Sequence, residues 1–227
     1  MANLPSSWRA YYLTAYNIVQ AGLWTTLFFL TLRNLSDGPI LIIARLEPFA
    51  RWTQTFALVD VLHAAGRLIP SGTATTFTQV GTRVIQVWAI WFAFPDAILG
   101  DRSADGNAIH GWASPSSGGI AFVALLLAWS VADAIRYTYL VCKMHHIESE
   151  ILTWTRYSMF FVLYPVGISA EWWLMYRSIE PSGQVTPWLR PVFYFLLALY
   201  VPGTWYMLSH MVKQRRKVLL GQDAKRA

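Results

Sequence analysis

Six apolar stretches, near residues 11–32, 53–70, 73–95, 119–143, 151–176 and 191–212, constrain this chain more than any other feature. Each approaches the ~20 residues that an α-helix needs to cross a bilayer. The 227 residues are 55% hydrophobic and only 13% charged, too apolar a balance for an ordinary soluble domain. The runs are continuous rather than alternating in polarity, which argues against a membrane β-barrel. The expected fold is therefore all-α: a polytopic membrane protein whose single domain, 1–227, is a bundle of six transmembrane helices. The second run is the weakest, because Asp60, His63 and Arg67 interrupt it. Loops are expected at Asn34–Arg51, Asp96–Gly118, His145–Glu150 and Ser178–Arg190, each marked by Gly, Pro, Ser or charge. No small-residue cleavage site follows the first run, which is expected to remain as a span.

The formal net charge of +6 gathers at the end of the chain, where Lys213, Arg215, Arg216, Lys217, Lys225 and Arg226 face only Asp223. By the positive-inside rule this basic tail, about 213–227, is cytosolic, and six spans put the N-terminus on the same side. No nucleic-acid partner is expected. Cys142 is the only cysteine, which excludes an intramolecular disulfide and a cysteine-rich metal site. His145-His146 with Glu148 and Glu150 is the one His/acid cluster, and it lacks the repeated histidine boxes of a membrane di-iron enzyme, so no metal is expected. His63 and His210 read as polar packing residues and His110 as solvated.

The remaining information lies in polar residues inside the apolar runs. Tyr164 and Glu171 are seven positions apart in the fifth run, on one helical face and about 10 Å apart along the axis. A carboxylate at such depth costs upwards of roughly 2.5 kcal/mol, so it ordinarily faces a bundle interior and serves a function. The bland alternative is that Tyr164 packs and Glu171, beside Trp172 and Trp173, belongs to an interfacial belt. Arg83 follows Thr75, Thr76 and Gln79 in the third run. Asp133 precedes Arg136 by three in the fourth, which places both on one face as a local ion pair. Arg156 opens the fifth. These charges predict either a polar cavity lined by several helices or a set of bridges that fix helix register. Pro165 removes a backbone donor and Gly167 loosens the same helix, a kink that would shape a pocket or simply be tolerated.

Fragments along nearly the whole chain resemble the very-long-chain (3R)-3-hydroxyacyl-CoA dehydratases, also called the protein tyrosine phosphatase-like family, of endoplasmic reticulum fatty-acid elongation. They begin with Tyr12-Leu13, Tyr16-Asn17 and Trp24, then His63 and the Thr75-Thr76, Gln79-Val80 and Thr82-Arg83 series leading to Val87-Trp88. Trp129-Ser130 and Asp133-Ala134-Ile135-Arg136-Tyr137 follow in the fourth run, with Leu152 to Tyr157 and Val162 to Gly167 in the fifth, ending in Glu171. Pro202-Gly203, His210-Met211 and Gln214 to Lys217 close the series. Any one fragment is weak; their order and spacing together are specific. The chain departs from the family pattern at Asp60 and Asp133, where glutamate is usual, and at Arg67 and Pro70 after His63.

The resemblance implies a six-span fold and a catalytic tyrosine and glutamate that fall on Tyr164 and Glu171. It implies a 3-hydroxyacyl-CoA substrate, an endoplasmic reticulum membrane location with both termini cytosolic, and the elongase, 3-ketoacyl-CoA reductase and enoyl-CoA reductase as partners. Dehydration needs one base at C2 and one acid at the departing C3 hydroxyl, roles that a tyrosine and a glutamate can fill in either order. It involves no net redox change and no cofactor is expected. Candidate pocket residues are Arg83, Asp133, Arg136, Arg156, Tyr157 and Gly167, and the CoA head is expected on Lys143, Arg215, Arg216 and Lys217 at the cytosolic rim. Phosphatase chemistry, raised by the family name, fails on Glu148, which stands where an arginine should follow Cys142. The alternatives are an idle family member that scaffolds other elongation enzymes and a small transporter, the latter disfavoured because no paired broken helices occur in two similar halves.

Overall fold

The computed structural model describes residues 8–69, 71–99 and 116–223. Pro70, the polar segment Asp101–Asn107, His110, Lys225 and Arg226 fall outside them. The described residues are helical, with no strand among them. Helix α1 spans Trp8–Arg33 and, after a short 3-10 turn at Leu35–Asp37, α2 spans Pro39–Phe56 and α3 Leu58–Ala65. Helix α4 runs Thr73–Ile85 and continues as a π-helical segment, Gln86–Phe92; α5 is Pro95–Leu99 and α6 Ser117–Met144. Next come α7 (Glu150–Ser158), α8 (Phe160–Arg177), α9 (Ile179–Val185) and α10 (Leu189–Asp223).

Four of the six expected runs match single or nearly continuous helices, and the second needs correction. It begins at Pro39, inside the expected loop Asn34–Arg51, and is interrupted at Ala57. Gly38, at φ 86°, makes the turn that only glycine adopts freely, and Pro39 follows in the first turn of the helix, where a missing N–H costs nothing. The charges that read as a loop are paired: Glu47 bridges Arg51 at 3.0 Å, and Arg45 bonds both Asn34 and Asp37. The expected loop Ser178–Arg190 likewise contains α9. Helix α10, 35 residues long, continues past the expected sixth run into the basic tail as far as Asp223.

Helix α6 is the axis of the bundle, packing on α1, α2, α5, α7 and α8. Its start is set by Ser116, whose hydroxyl accepts from Gly119 N (2.9 Å) and donates to Ile98 O (2.9 Å). Glycine is required there. A Cβ at Gly118 would lie 2.3 Å from Ala97 O, and one at Gly119 would lie 2.8 Å from Pro39 Cβ. The core around α6 includes Trp24, Leu27, Ile42, Phe122, Leu125, Leu126 and Leu174, all fully buried.

Among the described residues two helices are long and apolar enough to cross a membrane, Ser117–Met144 and Leu189–Leu219. The other expected spans are divided, at Ala57 and Met159, or carry polar rows, as α4 does. Large apolar side chains nevertheless cover the outside: Phe29, Leu62, Phe195, Val201, Trp205 and Tyr206 are all more than half exposed.

Candidate active site

Glu171 projects from α8 into a seam between α6 and α10. Its two carboxylate oxygens have different donors: Trp129 Nε1 donates to Oε1 at 2.8 Å, and the Tyr200 hydroxyl donates to Oε2 at 3.2 Å. Trp129 is held by packing on Trp91, with ring centroids 5.4 Å apart, and by the Arg83 guanidinium, 4.9 Å above its ring.

Tyr164, two turns earlier on α8, donates its hydroxyl to the Thr204 carbonyl of α10 at 3.4 Å. Tyr200 and Thr204 are one turn apart, so a single stretch of α10 meets the ends of both α8 side chains. The interfacial-belt alternative for Glu171 does not hold, since its oxygens point to partners inside the bundle.

Beside this pair lies an ion network. Asp133 bonds Arg83 of α4 and accepts from Arg136 Nε at 2.9 Å; Arg136 Nη2 reaches Asp60 Oδ2 of α3 at 3.2 Å. The buried Tyr137 hydroxyl donates to the same Asp60 oxygen at 2.8 Å. His63 packs between Tyr12 and Tyr16, with Tyr12 Oη and His63 Nε2 hydrogen-bonded at 2.9 Å. The bridge reading and the cavity reading meet here: the network ties α3, α4 and α6 together, and its Arg83 end reaches the Glu171 site.

The other candidates separate. Gly167 is buried against Ala128 of α6, where an added Cβ would find ordinary contact at 3.9 Å. Arg156 lies over Tyr157, which packs on Tyr139 of α6. Arg215 is engaged by Ser158 at 3.2 Å and by the Phe161 ring, whereas Lys143, Arg216 and Lys217 are exposed. Trp129, Tyr200 and Thr204 were not singled out by sequence as site residues. Trp129 carries a usable signal, one turn before Asp133 on the same face. Tyr200 carries none, in a helix rich in aromatic residues.

A profile of the family described as protein tyrosine phosphatase-like protein, PTPLA, matches residues 54–221. The chain belongs to the protein tyrosine phosphatase-like family. Its relatives include a probable very-long-chain (3R)-3-hydroxyacyl-CoA dehydratase of Schizosaccharomyces pombe, 28% identical over 95% of this chain and 96% of that protein. The very-long-chain (3R)-3-hydroxyacyl-CoA dehydratase PASTICCINO 2A of Oryza sativa is 30% identical over 96% of this chain and 97% of that protein. Mouse very-long-chain (3R)-3-hydroxyacyl-CoA dehydratase 1 is 26% identical over 93% of this chain and 74% of its own length. No solved structure matches. The family match includes α4, α6, α8 and most of α10, the helices that build the Glu171 site.

Proposed function

We propose that this protein is a hydro-lyase that dehydrates (3R)-3-hydroxyacyl-CoA to trans-2-enoyl-CoA in the very-long-chain fatty-acid elongation cycle, with Tyr164 and Glu171 as the catalytic pair. The observation that carries the reading is an anchored carboxylate and a phenol on one face of α8, both held by α10, in a family whose relatives are named for this reaction. Glu171 is surrounded by donors and is suited to accept a proton, whereas the Tyr164 hydroxyl already donates and is suited to give one. In the proposed step Glu171 takes the C2 proton, the C2–H electrons form the C2=C3 bond, and the C3–O bond breaks as Tyr164 protonates the departing hydroxyl. Water leaves, and the proton gained by Glu171 returns to Tyr164 through exchange, so no redox partner is needed.

A location in the endoplasmic reticulum membrane, with six helical layers and both termini cytosolic, suits the apolar exterior and the basic end of α10. The spans would be α1, α2–α3, α4 with its π segment, α6, α7–α8 and α10. Lys143, Arg215, Arg216 and Lys217 then lie toward the cytosolic end and add positive charge that draws the CoA head. The elongase and the two reductases of the cycle are the expected partners, since they make and consume its substrate and product. The test is incubation of detergent-purified protein with a long-chain 3-hydroxyacyl-CoA: the trans-2-enoyl product is expected, and its absence in well-folded protein would remove the assignment.

A further inference from the structure

Helix α4 has three faces rather than two. Thr76, Val80 and Val87 are buried against the bundle, while Phe77 and Ile85 are exposed on an apolar face. Thr75, Thr78, Gln79 and Thr82 form a third, polar face that is also exposed. At about 100° per residue these four fall within an arc of about 100°, and Arg83 borders it.

Lipid does not account for this row. A threonine satisfies itself by bonding a carbonyl one turn back, as Thr78 does to Ala74 O (2.9 Å) and Thr82 to Thr78 O (3.1 Å). Gln79 has no such device. Its amide, exposed in a helix read as a span, reaches only the sulfur of Met207 on α10 at 3.9 Å. The same contact turns the row toward α10, the helix that carries Tyr200 and Thr204.

The two ends of the row differ in chemistry. At the end shared with the start of α1 and the end of α3 lies a cleft of about 540 Å³ lined by Arg9, Arg67, Ser71, Gly72 and Thr73. Arg9 is committed to structure, donating to Leu68 O at 2.6 Å and Arg67 O at 3.1 Å. The Arg67 side chain is exposed beside it. At the other end, ~15 Å along the helix from Thr73, Arg83 stands over Trp129, whose indole N–H holds Glu171.

We propose that the polar face of α4 carries the pantetheine arm of the thioester, from a phosphate seat at the Arg9–Arg67 cleft to the reacting carbons at Glu171. This rests on the dehydratase reading and specifies how its substrate reaches the site. The arm is a chain with two amide groups; because Thr78 and Thr82 spend their protons on their own helix, they present acceptor oxygens to the amide N–H groups, and Gln79 offers both a donor and an acceptor. The guanidinium groups meet phosphate charge that could not enter the bundle.

Alkylation and kinetics test this together, with Cys142 first replaced by serine. In Thr78→Cys, desulfo-CoA, which has no thiol to consume the reagent, should slow modification by N-ethylmaleimide about fivefold, while Phe29→Cys, on the outer face of α1, should be unaffected by it. Arg67→Gln and Gln79→Leu should each raise KM for a 3-hydroxyacyl-CoA about tenfold, yet raise KM for the matching N-acetylcysteamine thioester, which lacks the phosphates and most of the arm, less than twofold. Equal labelling with and without desulfo-CoA, or an equal rise of KM on both thioesters, would overturn the track. Lack of enoyl product from the wild type would overturn the dehydratase reading instead, and the desulfo-CoA protection result stands independently of it.

Discussion

Replacing Tyr200 by phenylalanine removes one oxygen and leaves the ring in place, which makes it a clean probe of how the active carboxylate is held. The hydroxyl donates to Glu171 Oε2 at 3.2 Å, longer than the 2.8 Å bond from Trp129 on the other oxygen. A hydrogen bond to a charged group contributes about 1.5–3 kcal/mol, and the length places Tyr200 at the lower end. A loss of about 1.5 kcal/mol is about tenfold in rate. If Tyr200 acts by orienting Glu171, the loss belongs to kcat rather than to KM. It should also vanish where the carboxylate no longer reaches: in a Glu171→Asp background, shorter by one methylene, Tyr200→Phe should cost less than about twofold. The assay is the rate of enoyl-CoA formation from a saturating long-chain 3-hydroxyacyl-CoA, measured for the four proteins of the cycle. A Tyr200→Phe enzyme within twofold of wild type, or an equal loss in both backgrounds, would refute the positioning role.

Tyr164→Phe and Glu171→Gln should each lower turnover by about 10²–10⁴, the usual worth of a positioned general acid or base, with normal membrane insertion and accumulation; near-normal turnover in both would show that the active site lies elsewhere. Asp133→Asn leaves Arg83 and Arg136 without their shared carboxylate, so about 3–5 kcal/mol of stability should be lost, visible as a lower thermal transition in detergent; an unchanged transition would mean the network is not structural. With Cys142 replaced, single cysteines at Lys143 and at Lys217 should both react with a membrane-impermeant thiol reagent from the cytosolic side. Labelling of the two from opposite sides would break the six-span topology.

Legibility followed the kind of signal involved. Long apolar runs identify α1, α6 and α10 because length and hydrophobicity are local properties, and the seven-residue spacing of Tyr164 and Glu171 predicts a shared face because helical phase is local too. The start of α2 was not legible, since Asp37, Arg45, Glu47 and Arg51 look like loop charges until their partners are known, and pairing is a tertiary fact. Tyr200 was hidden for the same reason: nothing local separates a tyrosine that meets a carboxylate from Tyr194 or Tyr206, which are exposed.

Asp60 and Asp133, the two positions where the resemblance implies glutamate, converge on one residue. Both carboxylates bond Arg136, Asp60 from α3 and Asp133 from within α6, and Asp133 alone continues to Arg83. A shorter acid reaches less far, so Asp60 can share the Arg136 guanidinium with Asp133 only if α3 lies close against α6. The Tyr137 hydroxyl, which donates to Asp60, adds a donor at that junction. The shortening therefore reads as a matched pair rather than two separate losses. Its effect at the active site passes through Arg83, whose position over Trp129 depends on Asp133 and whose partner Trp129 orients Glu171. Restoring glutamate at position 133 alone should push Arg83 off the Trp129 ring and lower kcat, whereas restoring it at 60 and 133 together should recover much of the loss; a double variant worse than the product of the singles would show that the two positions are not matched.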